Sequence, residues 1–315
     1  MTSTRSQRRR PLFALLALLA VMGLTAAACG SDDSGGGDAA DVPDGPAIVI
    51  GAQDFPESVV LSELYAQGLA DAGYPTSVQE LGGYRDLLYG ALENGDVNFA
   101  LEYAGSMLNF LADPEAPAGN DVGDNIDQVT PLLEDQGIVV AEPSEAVNTN
   151  AFVMLRETAD ELGIETLSDL AEKGADLRLG APSDCETNPF CIPGLQETYG
   201  LDMSGNLVAL DDGRIDALRG DEFDVAVAFS TDPPRVDDDL IVLEDDGGML
   251  PAENIVPVMS QALVDAYGQD LVDRVNEISA ALTTENVTEM NRAYVVDRED
   301  ASAIVAAFLS DNDLT

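Results

Sequence analysis

The sequence contains no histidine and no tryptophan. Without histidine there is no Ser-His-Asp constellation, no imidazole general base and none of the commonest zinc ligand sets. Lysine is almost missing too. Lys173 is the one lysine among 14 basic residues, against 59 Asp and Glu, and the formal charge is −45. So acidic a chain repels phosphate backbones and anionic lipid surfaces, which argues against nucleic acid and acidic membranes as partners. Three cysteines, Cys29, Cys185 and Cys191, are too few for a cysteine-only metal cluster. A Gly-x-Ser-x-Gly elbow and a phosphate-binding loop are also lacking, and with them the usual signatures of hydrolases and nucleotide enzymes. Aromatic residues make up only 5% of the chain.

What is present is an apolar, two-domain-sized chain. Hydrophobic residues are 45% of 315, too many for a disordered acidic protein. Arg5, Arg8, Arg9 and Arg10 precede an apolar run from Leu12 to Ala28. A basic start, an apolar stretch short of a membrane span and a small-residue end describe a secretory signal peptide over residues 1–28. The run closes on Leu24-Thr25-Ala26-Ala27-Ala28-Cys29-Gly30, which resembles a bacterial lipobox with Cys29 as the lipidated mature N-terminus. Residues 30–46 are rich in Gly, Asp and Ser without apolar periodicity, and read with Cys29 as a flexible tether. Their carboxylates do not follow the spacing of an EF-hand.

From Ala47 the pattern alternates short β-rich runs with amphipathic helices. Strands are predicted over 47–53, 76–81 and 97–103, with helices opening at Pro56 and Tyr84. Pro56 suits the first helical position, Glu57 favours the first turn, and Gly73 ends the helix. The alternation restarts after Asn148, with strands over 151–155, 177–182, 207–210, 224–229, 240–243 and 255–259. Beyond Gln261 everything reads as helix. Strands joined by helices predict parallel sheets and an α/β fold. Two lobes follow: residues 47–147 with 254–315, the helical tail covering this first lobe, and residues 148–253. The chain crosses near Ala146–Asn148 and returns near Glu253–Asn254, leaving a cleft, a common place for a small ligand.

The order of several segments carries a resemblance. They are IVIGAQDFPESVVLSELYAQGLADAGY (48–74), LGGYRDLLYGALENGDVNFALEYAGSM (81–107), TLSDLAEKGADLRLGAPSD (166–184), PGLQETYGL (193–201), AFSTD (228–232) and LPAENIVPV (250–258). Together they resemble the glycine betaine/choline/carnitine-binding proteins of osmoprotectant ABC importers, over about residues 47–312. The resemblance implies a two-lobed periplasmic-binding-protein fold of type II. It implies a non-enzymatic solute-binding role, no cofactor and no metal, and ABC permease and ATPase subunits as partners. The location implied is extracytoplasmic, at the cell membrane through the lipid on Cys29. The alternative is a binding protein for another small polar or cationic solute, or a sensor lipoprotein on the same fold. An adjacent ATPase and permease reading frame separates transport from sensing.

In that family a quaternary ammonium sits in an aromatic cage, because it has no N–H to donate and cation–π contact is its natural handle. Carried over singly, Tyr103 matches a cage tyrosine and Ser106 a hydroxyl that contacts carboxylate. Phe229 takes a second ring position. Asn150 and Glu253 stand at the two remaining cage positions, and Gln53 and Asn188 stand where cationic residues are expected. Tyr103 and Phe229 are expected to face one another across the cleft. From pattern alone both read as core residues, and Glu253 as either buried or at a solvated rim. Tyr84 reads as a cleft or loop aromatic, Asp232 as a turn cap or ligand contact, and Asp237–Asp239 as solvated surface. With amides at the clamp and Glu253 adding negative charge, a cation without a carboxylate fits better than plain betaine. Choline-like, polyamine-like or amide-rich zwitterionic ligands come into range.

With Cys29 lipidated, Cys185 and Cys191 remain as a pair in an oxidising compartment, which predicts a disulfide around the loop that holds Asn188. The lipobox reading is tested directly. Cys29→Ser is expected to release the protein from membranes, and a variant that stays membrane-bound and uncut overturns it.

Overall fold

A computed structural model describes residues 45–83, 85–112, 118–210, 213–232 and 238–315. The expected signal peptide, Cys29, the tether up to residue 44, Tyr84 and Asp237 lie outside the described residues.

The first sheet is built from β1 (Ile48–Ala52), β2 (Thr76–Glu80), β3 (Phe99–Tyr103), β4 (Ile138–Val140) and β10 (Ile255–Ser260), in the order β2-β1-β3-β10-β4. The second holds β5 (Asn150–Leu155), β6 (Leu179–Ala181), β7 (Leu207–Ala209), β8 (Val225–Phe229) and β9 (Leu240–Val242), in the order β7-β6-β8-β5-β9. Among the described residues, twelve α-helices accompany them. In chain order they are α1 (Pro56–Asp71), α2 (Arg85–Asn94), α3 (Ala104–Leu111), α4 (Val122–Glu134), α5 (Arg156–Leu162), α6 (Leu167–Lys173), α7 (Ile192–Tyr199) and α8 (Arg214–Arg219). The last four are α9 (Gln261–Tyr267), α10 (Gln269–Ala280), α11 (Thr284–Val295) and α12 (Ala301–Asp311).

The helix α1 starts where Pro56 allows it and carries Glu57 in its first turn. It ends before Gly73, whose φ of 96° is a turn that a side chain would strain. Leu61, Leu64, Tyr65 and Leu69 of α1 pack with Val275 and Ile278 of α10 and with Phe308 and Leu309 of α12 in one buried cluster. The helices come close at Gly68, where a Cβ would stand 2.8 Å from Ile278 Cδ1. Arg274 donates to the Gly68 carbonyl from Nε and Nη2 at 3.1 and 2.9 Å. The helical tail therefore does cover the first lobe.

Neither sheet is parallel throughout. β1 pairs in parallel with β2 and β3, and β6 with β7 and β8. β10 is antiparallel to both β3 and β4, and β5 to both β8 and β9. The expectation of parallel sheets holds only where helices connect the strands. Parallel neighbours need such a crossover. β5 and β10 instead enter their sheets directly from the passages between lobes, at the ends where β8 and β3 finish. Asn150 pairs with Phe229, and Ile255 with Tyr103.

The two passages run side by side. Val147 and Asn254 form an antiparallel bridge, with Asn148 N donating to Glu253 O and Ser144 N to Ile255 O, both at 2.9 Å. The helices α4 and α5 and the strand β4 occupy stretches that the sequence pattern left unread.

Cys185 and Cys191 are bonded to each other, with Cα atoms 5.2 Å apart and a separation of six residues. A loop that short is worth about 2 kcal/mol in the chain-entropy picture. The double variant with both cysteines changed to serine is expected to lose that amount in a denaturant melt. An unchanged midpoint means the loop is held by its packing alone.

Candidate ligand-binding cleft

The carboxyl ends of β1, β3 and β8 meet at one cavity of about 1080 Å³. This is where ligands of open α/β sheets bind, because loops and helix N-termini converge there. From the first lobe the wall includes Gln53, Glu57, Arg85, Tyr103 and Ser106. From the second it includes Arg214, Phe229, Thr231 and Asp232, and Asn148 lines it from the passage between them.

Tyr103 is buried, and its hydroxyl donates to Glu57 Oε1 at 2.6 Å. Burial first, then the neighbouring Glu57, holds the phenol well above its ordinary pKa, so it stays a donor. Asn148 Nδ2 donates to the same Glu57 oxygen at 2.8 Å, and Asn291 Nδ2 donates to Oε2 at 2.7 Å. Asn291 Nδ2 also donates to Thr231 O at 3.1 Å. One buried carboxylate thus gathers donors from β3, the passage between lobes and α11, and the last of these reaches into the second lobe. Phe55 leans on Tyr103, with ring centroids 6.2 Å apart.

Arg85 at the start of α2 forms a forked pair with Glu102 of β3. Nε donates to Oε1 at 2.9 Å and Nη2 to Oε2 at 2.8 Å. Glu102 is fully buried, and Arg85 reaches the cavity wall. On the other wall, Arg214 donates to the carbonyls of Val227 and Leu210. Asp232 accepts from Phe229 N at 2.9 Å and so caps the turn after β8. Burial raises the Asp232 carboxyl above the usual carboxylate range.

Of the residues singled out in the sequence, Gln53, Tyr103, Ser106 and Phe229 line one cavity. The two rings come from different sheets. Phe229 is 42% exposed, whereas Tyr103 is buried. Asn150, Asn188 and Glu253 are not among the lining residues. Asn150 Nδ2 donates to Phe190 O at 3.1 Å, and Asn188 Oδ1 accepts from Phe190 N at 2.9 Å. Both therefore hold the disulfide loop rather than the cavity wall.

Glu253 is buried behind hydrogen bonds from Ser106, N to Oε2 at 2.9 Å and Oγ to Oε1 at 2.6 Å. It satisfies the open N-terminus of α3, a role that its negative charge suits. The carboxylate presented to the cavity by a buried side chain is Glu57 instead. The expected replacement of cationic groups by amides is also incomplete, because Arg85 and Arg214 reach the wall. Glu57 was legible in sequence only as a first-turn acid, and Asn291 only as one position in a helical tail.

Burial pushes the Glu253 carboxyl up to about 7 from its ordinary 4.5, against the lowering effect of the Ser106 bonds. A carboxyl raised in the folded state binds its proton more tightly folded than unfolded. Its contribution to stability is then largest below about pH 4.5 and is lost as pH rises towards 7. Glu253→Gln is expected to remove this fall, so the variant-minus-parent stability should climb across that window. Thermal melts at each pH check it, and a difference that does not change with pH overturns it.

Residues 46–311 match the family described as the substrate-binding domain of ABC-type glycine betaine transport systems. Such proteins are solute-binding, non-enzymatic components of transport, working outside the cytoplasm with a permease. The chain is 26% identical to a glycine-betaine-binding protein of Pseudomonas aeruginosa, over 84% of this chain and 88% of that one. It is 22% identical to the glycine betaine-binding protein YehZ of Escherichia coli, over 85% and 91%. The crystal structure of a glycine betaine/carnitine/choline ABC transporter protein superposes with a TM-score of 0.76 at 24% identity, over 85% of this chain and 99% of that one. That likeness gives the same two-lobed fold. The match over nearly all of the described body, together with a cavity at the strand ends between two sheets, makes this chain a member of the family of substrate-binding domains of ABC-type glycine betaine transport systems.

Proposed function

We propose that this chain is an extracytoplasmic lipoprotein that captures a small quaternary-amine or related osmoprotectant-like solute between its lobes. The lobes are residues 47–147 with 254–315, and 148–253, and the lipid is on Cys29. The closed form delivers the solute to an ABC permease. One observation carries the ligand reading: Tyr103 from the first sheet and Phe229 from the second line the same cavity. Closing the lobes brings two ring faces to one cation, and cation–π contact with a desolvated ammonium contributes about 0.5–2 kcal/mol per ring. Glu57 beside Tyr103 adds negative potential at that end. Arg85 and Arg214, from opposite walls of the cavity, suit a carboxylate at the other end, so zwitterions fit as well as simple cations.

The two passages between lobes are short and paired with each other, which suits a hinge that bends at few backbone positions. Calorimetry of the purified protein against choline, glycine betaine and carnitine tests the reading. Binding of at least one is expected. Tyr103→Ala should weaken it by about tenfold or more, and Phe229→Ala, where the ring is half exposed, by a few-fold. Binding that ignores both substitutions moves the site away from this cavity.

A further inference from the structure

We infer that the cleft selects a solute carrying an O–H or N–H donor beside its positive charge, over the fully methylated counterpart. The inference rests on the reading of the cleft given above and narrows its ligand class. It comes from the way Glu57 fixes the two amides next to it.

The Glu57 carboxylate accepts from the Tyr103 hydroxyl, and each asparagine turns its NH2 group towards it. Asn148 spends Nδ2 on Oε1, and Asn291 spends Nδ2 on both Oε2 and Thr231 O. Flipping Asn291 would break two bonds and set its oxygen against a carboxylate. The orientation of both amides is therefore settled. Their oxygens, Asn148 Oδ1 and Asn291 Oδ1, are buried with no hydrogen-bond partner among the described residues. Both side chains line the cavity.

A buried acceptor left unsatisfied is costly, and a trimethylammonium group has no hydrogen to give it. The same wall holds the reverse case in Gln53, whose side chain is buried and whose Nε2 is a donor without a partner. A hydroxyl has the chemistry for either kind of group, since it can donate to an asparagine oxygen or accept from Gln53. An N–H answers the asparagines alone. The aromatic side of the cavity is correspondingly thin. Tyr103 is the buried ring, and Phe229 is 42% exposed.

Two matched pairs test this by calorimetry on the intact protein: choline against its O-methyl ether, and N,N-dimethylglycine against glycine betaine. Each pair exchanges one hydrogen for a methyl group. About tenfold tighter binding of the donor-bearing member in either pair is expected, and the pair concerned tells which atom donates. The preference should fall towards one in Asn291→Ala, with Asn148→Ala as the second variant should the first fail to fold. Equal or tighter binding of the methylated member in both pairs overturns the inference and leaves the cleft reading standing. So does a preference that survives in the folded variants. Failure of all four solutes to bind overturns the cleft reading and this inference with it.

Discussion

The carboxylate of Glu57 ties together groups that the chain keeps far apart. Its three donors stand at residues 103, 148 and 291, on a strand of the first sheet, on the passage to the second lobe and on the helical tail. Each donor is neutral, so hydrogen bonds from Tyr103, Asn148 and Asn291 hold the carboxylate in its buried setting. Through Asn291 the same network touches the backbone of the second lobe at Thr231. The ring of Tyr103, the amide orientations and the relation of the lobes at the cleft all depend on where that one side chain sits. Its position follows from the start of α1, fixed by Pro56 at the end of a buried strand.

The distribution of charge follows the same economy. Among the described residues most of the acidity lies outside the buried core, where it affects solubility and long-range attraction of cations more than the fold. Inside, carboxylates occur where donors are dense. Glu102 is forked by Arg85, and Glu253 covers the first turn of α3 through Ser106. Glu57 differs in that its hydrogen-bond partners among the described residues are neutral, and in facing the cavity.

Strand direction explains why the cleft lies where it does. β1, β3 and β8 finish at the cavity, while β5 and β10 begin beside it and run away. The chain thus delivers strand ends, helix starts and both passages between lobes to one region. The second lobe is fastened to the passage by Ser230, which accepts from Thr149 N and donates to Val147 O at 3.0 and 2.7 Å. Capture by closure suits such an arrangement, since the lining residues belong to rigid elements and the bending backbone lies between them.

The alternation of strands and helices is legible in the chain, because hydrophobic period and helix-stop chemistry are local. The sequence also contained the family's segments in order, and through them the two-lobed architecture and the positions of Tyr103, Ser106, Phe229 and Gln53. Tertiary structure alone decided which polar side chains reach the cavity. Glu253, Asn150 and Asn188 stood at plausible motif positions, yet they bond to Ser106 and to the backbone of Phe190. Glu57, Asn148 and Asn291 read as a helix-start acid, a passage residue and one position in the helical tail. Their meeting requires α1, the passage and α11 to pack together, and no local pattern encodes a contact between residues 234 apart. Strand direction in β5 and β10 was hidden for the same reason, since it depends on where a chain enters a sheet and not on which residues form the strand.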